Sequence, residues 1–412
     1  MSNLAQQNED FQKLTRDHAP TRPSDEDFVA RVHELGSLIR GNAEEGEAKR
    51  RTPDSSIEAF TKAGLFKISV PRRYGGYETS MKTMMDVVSS VAEYDGGQAW
   101  TVSLINACNW IACLFPIKAQ DEVWGTNPDA RVSGVFAPSS TAKKVDGGWR
   151  ITGKWFYNSG GLHTEWAVLG FPETNEAGEM TGVGFALIPR GDLELLDTWY
   201  TVGMRASGSN CLVANDVFVP EYRTISGAEV NEGRNRNELS DQELFYQSAF
   251  MPLLVLILIA PQLGMCREAL RLAMADAETK GVHGTRYKRQ KDSVAFQMRI
   301  AKAALMVDTA HLHAKRSTED IDNAAQKGEY PPFLVRARIQ ADCGLIAELA
   351  REAIDMCISA HGAGSFGENH PMQRLWRDSN IAGRHAFING DARYETYGKA
   401  LLGVEDRIVA LV

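Results

Sequence analysis

"KKVDGGWRITGKWFYNSG", Lys143 to Gly160, decides the fold, because it is a pair of strand-like runs set between two long helical regions. Asp146 to Gly148, "DGG", is typical of a β-hairpin turn, since Asp-Gly and Gly-Gly pairs supply the positive φ angles that such turns need. Short alternating runs of the same kind continue to about Arg223. At the usual spacing of strands they predict a β domain of roughly 90 residues.

The segments on either side of this β domain space their apolar residues at three and four, as amphipathic helices do. Ser24, followed by three acidic residues, suits the start of the first helix. We therefore predict a mostly α-helical protein with a central β domain. Its three parts are an N-terminal helical domain (1–130), a middle β domain (131–225) and a C-terminal four-helix-bundle domain (226–412). Pro331 and Pro332 are expected to separate two long helices.

Composition excludes several classes of partner. The net charge of −8, with no block of Lys and Arg, gives no electrostatic footprint for nucleic acid. The apolar run from Ala249 to Pro261 is shorter than the roughly 20 residues of a membrane span. It predicts a helix that is apolar all round and is therefore buried in a core or in a subunit contact.

The cysteines and the N-terminus bear on the compartment. Six cysteines are scattered without a CxxC pair or ligand-like histidine spacing, which predicts buried thiols, no metal site and no disulfide framework. The first residues are polar and charged and lack the apolar region of a secretory signal. We therefore expect a cytoplasmic protein.

One short segment has the chemistry of a ring-binding site. "ITGKWFYNSG", Ile151 to Gly160, can end a strand in a loop that offers aromatic surface and several hydrogen-bonding groups. A planar ring cofactor needs this mixture of flat contact and a few placed polar atoms. The alternative is a tryptophan in a β core and a serine in a turn.

Six motifs together resemble the acyl-CoA dehydrogenase superfamily over nearly the whole chain. In chain order they are "GLFKISVPRRYGG", "ITGKWFYNSG", "GMRASGSNCLVANDVFVP", "TRYKRQKDSVAFQMRIAKA", "SAHGAGSF" and "WRDSNI". The resemblance implies that family's fold, with an N-terminal helical domain, a middle β-barrel domain and a C-terminal helical bundle. It also implies a flavin site that neighbouring subunits complete, and hence a homotetramer, or at least a dimer.

The resemblance assigns flavin-binding roles to residues in three motifs. It places Trp155 and Ser159 beside the flavin ring, and Arg286 and Gln297 at the flavin phosphates and ribityl chain. Arginine suits phosphate because its planar fork donates two parallel hydrogen bonds. Gly362 and Gly364 lie in the loop that receives the distal end of the cofactor, where glycine lets backbone N–H groups approach a phosphate. A solvated basic turn and a plain helix connection are the alternatives for these last two segments.

A carboxylate base is missing where acyl-CoA dehydrogenases need one to remove the α-proton of the substrate. The two positions that the family uses fall near Ala386 and Leu254, which are both apolar. His385 stands beside the first position. The resemblance is therefore closest to the oxygenase components of two-component flavin monooxygenases, which carry a histidine in this region next to an aromatic substrate.

The activity that this implies is the oxygenation of a small aromatic or heteroaromatic substrate, such as a phenol or an indole. Reduced flavin (FADH2 or FMNH2) reacts with O2 to give a C4a-hydroperoxyflavin. No nicotinamide-binding GxGxxG follows a strand, so a separate NAD(P)H:flavin reductase supplies the reduced flavin. The alternatives are an acyl-CoA dehydrogenase or oxidase with a displaced base and a non-enzymatic flavin binder.

Roles in catalysis and in substrate binding follow from the same resemblance. His385 and Ser159 are the predicted catalytic residues: His385 accepts a phenol proton or binds a phenolate, and Ser159 hydrogen-bonds near flavin N5. The predicted substrate-binding residues are Asn109, Trp110, Arg205, Ser207 and His385. Trp110 is included for its aromatic surface, and an ordinary core position is the alternative for it. For Arg205 and Ser207 a simple β-turn is the alternative, and for His385 it is a histidine buried in a helix contact.

Overall fold

The computed structural model describes residues 21–175, 179–406, 408–409 and 411–412. The first twenty residues of the predicted N-terminal domain, with most of the polar segment at the start of the chain, lie outside the described residues. Within the described part, thirteen α-helices and eight β-strands follow one another in the order helical, β, helical. The predicted fold class is confirmed, and the exact domain boundaries stay predictions.

Seven helices precede the first strand, and the first begins as predicted. The Ser24 hydroxyl accepts the N–H of Asp27 at 3.1 Å, and the Asp27 carboxylate accepts the N–H of Ser24 at 2.9 Å, a reciprocal capping box. The seven helices are α1 (Asp25–Glu34), α2 (Gly36–Gly41), α3 (Ala43–Lys49), α4 (Asp54–Lys62), α5 (Met81–Ala92), α6 (Gly96–Ala112) and α7 (Ile117–Trp124).

Eight strands form two four-stranded sheets. They are β1 (Val132–Val135), β2 (Ser140–Val145), β3 (Gly148–Asn158), β4 (Trp166–Thr174), β5 (Met180–Pro189), β6 (Glu194–Leu196), β7 (Asn210–Pro220) and β8 (Thr224–Ser226). One sheet has the order β1-β4-β5-β8 and the other β2-β3-β7-β6. The predicted hairpin joins β2 to β3, where Gly147 has a φ of 74° and Val145 pairs with Gly148.

The C-terminal region contains the longest helices. They are α8 (Gly227–Asn231), α9 (Phe250–Asp276), α10 (Val294–Gln326), α11 (Phe333–His361), α12 (Pro371–Ala382) and α13 (Gly390–Leu402). Pro331 and Pro332 separate α10 from α11, as predicted. The apolar run continues through Pro261 as the 27-residue helix α9, which is longer than the run alone indicated.

Helix α9 is long and apolar enough to cross a membrane by length and composition, but 94% of its most apolar window is buried inside this fold. It is the central core helix that the sequence predicted. α9 packs against α5, α6, α10 and α11. All six cysteines are buried and free, which confirms the prediction of buried thiols.

The three regions meet around the first half of α6. This helix packs against α5, α9 and β1, and against the short turn Arg205–Ser207 that precedes β7. The turn Ala386–Ile388, between α12 and α13, packs against α9 and α11. The fold thereby brings together the end of β3, the turn before β7 and the turn that carries His385.

Candidate active site

Trp100, in the first half of α6, connects the two predicted catalytic residues. Its indole Nε1–H donates to Ser159 Oγ at 3.0 Å. Its ring lies against the His385 imidazole, with centroids 5.9 Å apart and planes inclined by 54°. The structure therefore places both Ser159 and His385 in contact with one buried tryptophan. Sequence reasoning missed Trp100, because a tryptophan on a buried helix face looks the same whether it packs a core or a site.

Ser159 belongs to a chain of buried hydroxyl groups. Its Oγ lies 2.8 Å from Ser209 Oγ, which in turn lies 2.7 Å from Ser207 Oγ. The main chain holds the two ends together, since the Gly160 N–H donates to the Ser207 carbonyl at 2.9 Å. Ser207 is the third member of this chain, and its predicted substrate-binding role stays a prediction. Ser209 had no sequence signal beyond its place in "RASGSN".

The last residues of β3 offer the flat and polar groups that a flavin ring needs. Phe156 and Tyr157 are 47% and 62% exposed, and Tyr157 lies edge-on to Trp199 with ring centroids 5.5 Å apart. The Asn158 side chain is fully buried, and neither of its amide atoms has a hydrogen-bond partner among the described residues. Unpaired buried amide atoms are costly, and they fit a ring with hydrogen-bonding edges. The residues present therefore fit a flavin.

Trp155 requires a correction. Its ring has no exposed surface and lies in the core between the two sheets, where its Nε1–H donates to the Gly170 carbonyl at 2.8 Å. This is the β-core alternative. Alternation along β3 points Trp155 inwards, and an irregularity in pairing with β7 between Trp155 and Asn158 turns Phe156 and Tyr157 outwards.

His385 is held as a neutral imidazole. Burial, and then the positive charge of Arg393, lower its pKa to about 4. The Phe387 N–H points at its Nδ1 at 3.2 Å, so Nδ1 is an acceptor and the ring hydrogen lies on Nε2. Of the two roles predicted for His385, this arrangement favours donation to an oxygen of the substrate over acceptance of its proton.

Two predicted substrate-binding residues, Asn109 and Trp110, are structural. The Asn109 amide donates to the Phe66 carbonyl at 2.8 Å and accepts the Val132 N–H at 3.0 Å. Trp110 donates to the Phe245 carbonyl at 3.2 Å and stacks on Phe250. Both side chains are fully buried and their polar atoms are used by the main chain, so they pack the second half of α6.

Arg205 is also engaged by the main chain. Its Nε donates to the Glu47 carbonyl at 2.7 Å and its Nη1 to the Thr201 carbonyl at 3.0 Å. These bonds tie the turn before β7 to α3 and hold the loop that carries Ser207. These bonds give Arg205 a supporting role in the fold, and its substrate-binding role stays a prediction.

Arg286 and Gln297 lie on the surface around the start of α10. Arg286 is exposed, has no ion-pair partner among the described residues, and lies over the ring of Tyr287 with its guanidinium carbon 5.5 Å from the centroid. Gln297 is exposed and donates to the Lys291 carbonyl at 2.9 Å. Both remain accessible to a phosphate or to another molecule, and their flavin-binding role stays a prediction.

The glycine-rich loop after α11 is exposed at Gly364 and is anchored at its base. Gly362 has a φ of 91°, which favours glycine. His361 Nε2 lies 3.0 Å from Asp276 Oδ2, and Lys280 Nζ lies 3.1 Å from His361 Nδ1. The flavin role of the two glycines stays a prediction.

Asp276, His361 and His370 bring their ligand atoms close enough together for a metal ion. However, each histidine accepts a hydrogen bond at Nδ1, His361 from Lys280 and His370 from the Met372 N–H. A neutral ring then carries its hydrogen on Nε2, which faces Asp276. Asp276 Oδ2 nevertheless has no hydrogen-bond partner among the described residues, so the two rings and the carboxylate lie close together without a well-formed hydrogen bond.

Comparisons with known proteins agree with this geometry. Residues 25–124 match the family model described as acyl-CoA dehydrogenase, N-terminal domain, and residues 256–390 match acyl-CoA dehydrogenase, C-terminal domain. The two matches together cover more than half of the chain. The predicted acyl-CoA dehydrogenase-like fold is confirmed.

Named relatives are oxygenase components. The chain is 32% identical over 381 residues to the flavin-dependent monooxygenase oxygenase subunit HsaA of Rhodococcus jostii (strain RHA1), covering 91% of this chain and 98% of the relative. It is 30% identical over 392 residues to the FADH2-dependent resorcinol hydroxylase, oxygenase component, of Rhizobium sp. (strain MTP-10005), covering 92% and 95%. A structure of XiaF from Streptomyces sp. in complex with FADH2 and glycerol aligns with a TM-score of 0.89 at 36% identity, covering 98% of this chain and 100% of that chain.

Proposed function

The chain belongs to the acyl-CoA dehydrogenase family, among its oxygenase components of flavin-dependent monooxygenases, and we propose that it oxygenates a small phenol-like or indole-like ring. The observation that carries this proposal is the arrangement of Ser159, Trp100 and His385. It joins a flavin-side hydroxyl to a neutral imidazole at the place where a dehydrogenase would carry its carboxylate base.

Reduced flavin, when bound, would activate O2, which supplies the oxygen atom that is transferred to the ring while its second oxygen atom leaves as water. Asn158, Ser159 and the exposed rings of Phe156 and Tyr157 would hold its ring system. Arg286, Gln297, Gly362 and Gly364 would hold its phosphate-bearing end. We propose FADH2 over FMNH2 because the resorcinol hydroxylase is named FADH2-dependent and the XiaF structure contains FADH2.

His385 would bind and orient the substrate. Its Nε2–H can donate to a phenolic oxygen, and this hydrogen bond is strongest when that oxygen carries negative charge. A phenolate is also the more electron-rich ring and the better acceptor of an electrophilic oxygen atom. Burial of Trp100 and Ser159 keeps water out of this part of the site, which limits loss of the activated oxygen as peroxide.

An acyl-CoA dehydrogenase activity is disfavoured by the same positions. Leu254 lies in the buried first half of α9, and Ala386 lies in the turn beside His385. Neither side chain can accept the α-proton of an acyl thioester. The oxygenase is therefore favoured over the dehydrogenase.

A separate NAD(P)H:flavin reductase completes the proposed system. The name "oxygenase component" of the resorcinol hydroxylase implies a partner that supplies its flavin. We expect no NADH consumption by this chain with oxidised FAD alone, and product formation once a flavin reductase is added. Substantial NADH oxidation by the isolated chain would contradict this division of labour.

We further propose a cytoplasmic homotetramer. Met298, Leu305 and Leu312 recur at intervals of seven along one side of α10 and are 59%, 65% and 67% exposed. Such a stripe is typical of a helix that packs against a second copy of the same chain. Arg286 and Gln297 lie around the start of this helix, which supports a flavin site shared between copies. Six buried free thiols support a reducing compartment.

The test is a single-turnover reaction of the purified chain with FADH2 and O2 in the presence of phenols or indoles. We expect a hydroxylated product and no acyl-CoA-dependent bleaching of oxidised flavin. Bleaching by an acyl-CoA without any aromatic product would support the dehydrogenase. Flavin binding without either reaction would support a non-enzymatic flavin binder.

A further inference from the structure

Three serine hydroxyls form a buried hydrogen-bonded chain beside Trp100. Ser159, Ser209 and Ser207 are 7%, 2% and 1% exposed, and their Oγ atoms are joined by contacts of 2.8 and 2.7 Å. The Trp100 indole donates to the first of them at 3.0 Å. For the Ser207 hydroxyl, Ser209 is the hydrogen-bond partner within the described part of the chain.

Counting hydrogens shows that this chain has two states. An indole N–H can only donate, so Ser159 Oγ always accepts from Trp100 and has one more lone pair and one hydrogen to use. If Ser207 donates to Ser209 and Ser209 to Ser159, the Ser159 hydrogen is free to point out of the chain. If the direction reverses, Ser159 donates to Ser209 and its second lone pair is free to accept from outside.

We propose that Ser209 is a positioning residue that lets Ser159 act as a donor to one redox state of a bound flavin and as an acceptor from the other. The inference rests on the proposed function, in which Ser159 faces the flavin ring. The N5 atom of an oxidised flavin is a hydrogen-bond acceptor, and the same atom of a reduced flavin carries a hydrogen. Reversal of the serine chain would match each state without moving a heavy atom.

Ser209 matters more for the reduced state than for the oxidised state. When Ser159 accepts from both Trp100 and a ring N–H, its own hydrogen has Ser209 Oγ as its acceptor. Removal of that oxygen leaves a buried donor unpaired, which costs more than the loss of one accepted hydrogen bond. When Ser159 donates to the ring, Ser209 supplies only a second, dispensable donor.

The experiment compares flavin binding in both redox states by the native chain, Ser209→Ala and Ser209→Thr. Anaerobic titration should show that Ser209→Ala weakens binding of FADH2 about tenfold and of FAD less than threefold. The midpoint potential of the bound flavin should fall by about 15 to 30 mV, because a tenfold change in the ratio of the two dissociation constants corresponds to about 30 mV for two electrons. Ser209→Thr keeps the hydroxyl and should stay within twofold of native.

Two further variants make the result specific. Ser207→Ala should shift the ratio of the two dissociation constants in the same direction but by less, since it removes only the end of the chain. This variant also tests the proposal if Ser209→Ala fails to fold. Ser103→Ala is the control, because Ser103 is buried on the same helix as Trp100 and donates to the Ile257 carbonyl at 3.0 Å. It should leave the ratio unchanged.

The outcomes separate the inference from the function on which it rests. An unchanged ratio in Ser209→Ala, or equal weakening of both redox states, would overturn the inference while flavin binding by the native chain stands. No binding of either flavin state by the native chain would overturn the proposed function and the inference together.

Discussion

His385 differs from a catalytic carboxylate in what it can exchange with a substrate. With Nδ1 occupied by the Phe387 N–H, the ring presents a hydrogen on Nε2. It can therefore hold an oxygen that already carries charge, and it serves the substrate by orientation and by stabilising the phenolate. This role needs the neutral ring that burial maintains.

Replacement of His385 tests this role directly. We expect His385→Ala to leave the reaction of bound reduced flavin with O2 nearly unchanged, while product formation falls about 10²–10³-fold, the usual cost of removing one positioned hydrogen-bond donor to a charged oxygen. The oxygen consumed should appear as hydrogen peroxide. The measurement is product and peroxide per flavin in single turnovers, with His311→Gln as the control because His311 is a half-buried histidine bonded to the Val307 carbonyl on α10. Unchanged coupling in His385→Ala would leave the histidine with a structural role only.

The lowered pKa of His385 also predicts how stability depends on pH. The unfolded imidazole takes up a proton near pH 6.5 and the folded one only near pH 4, so the free energy of unfolding falls as the pH is lowered between these values. Burial lowers the pKa of His163 to about 4 as well. As the pH is lowered, we expect the free energy of unfolding to fall less in His385→Asn than in the native protein, by up to about 3 kcal/mol. Denaturant titrations at pH 4.5, 5.5 and 7 measure this difference. Equal slopes for variant and native would contradict the buried neutral state.

At the residue scale, family motifs predicted that Ser159 and His385 belong to the site, and the structure brings both to Trp100. Trp155, Asn109 and Trp110 were also predicted to lie at the site, but the structure buries their side chains in the core. An irregularity in the pairing of β3 decides which ring faces out, and no pattern in the sequence marks it. Asn109 and Trp110 face distant main-chain groups, Phe66, Val132 and Phe245, that only the folded chain brings near.

One carboxyl group on helix α12 holds the loop that precedes β7, which was predicted to face the substrate. Asp378 is buried and accepts the Met204 N–H at 2.5 Å. Burial, and then the charges of Asp95 and Glu47, raise its pKa to about 8, so the group is protonated at neutral pH. The turn Arg205–Ser207 follows directly, and its position therefore depends on this contact between helix and loop.

The raised pKa predicts the effect of Asp378→Asn. The folded chain keeps a proton that the unfolded chain releases above its usual pKa of 3.8, so the free energy of unfolding of the native protein falls as the pH rises from about 4 to about 8. Asparagine still accepts the Met204 N–H and has no charge to bury. We expect its stability relative to native to rise by up to about 1.4 kcal/mol per pH unit between pH 5 and 8.

Thermal or denaturant unfolding at pH 5, 6.5 and 8 measures this change. Asp192→Asn is the control, because Asp192 is exposed. A constant difference between Asp378→Asn and native across this range would show that the carboxyl group is charged in the folded state.

Helices themselves were the most predictable elements, because apolar spacing and the cap at Ser24 are local. The length of α9 was not predictable in this way, since the sequence suggested that the helix ends at Pro261. The surrounding helices cover this segment on all sides, and that packing outweighs the hydrogen bond that proline cannot donate.

Within the described residues, the apolar stripe along α10 is a surface that a single copy does not explain. We expect a mass of four chains by light scattering at micromolar concentration. Met298→Glu combined with Leu305→Glu should lower that mass, because charge would be buried in the helix contact. Lys143→Glu, at an exposed position of β2 away from this helix, is the control. A native monomer that binds flavin normally would contradict both the tetramer and the shared site.

The order of helical, β and helical regions was visible in the sequence, because each region has its own periodicity. How the regions meet was not, since the contacts among α6, the turn before β7 and the turn at His385 join residues far apart in the chain. Family motifs supplied that information where periodicity could not.

Because every cysteine is buried, the reactivity of each thiol reports how often the surrounding part of the molecule opens. Burial raises the pKa of each thiol, so alkylating reagents react only with molecules in which that thiol has become exposed. Mass spectrometry of timed labelling would give an opening free energy for each region and show which comes apart first. The thiols sample all three regions: Cys108 in α6 and Cys113 directly after it, Cys211 in β7, Cys266 in α9, and Cys343 and Cys357 in α11.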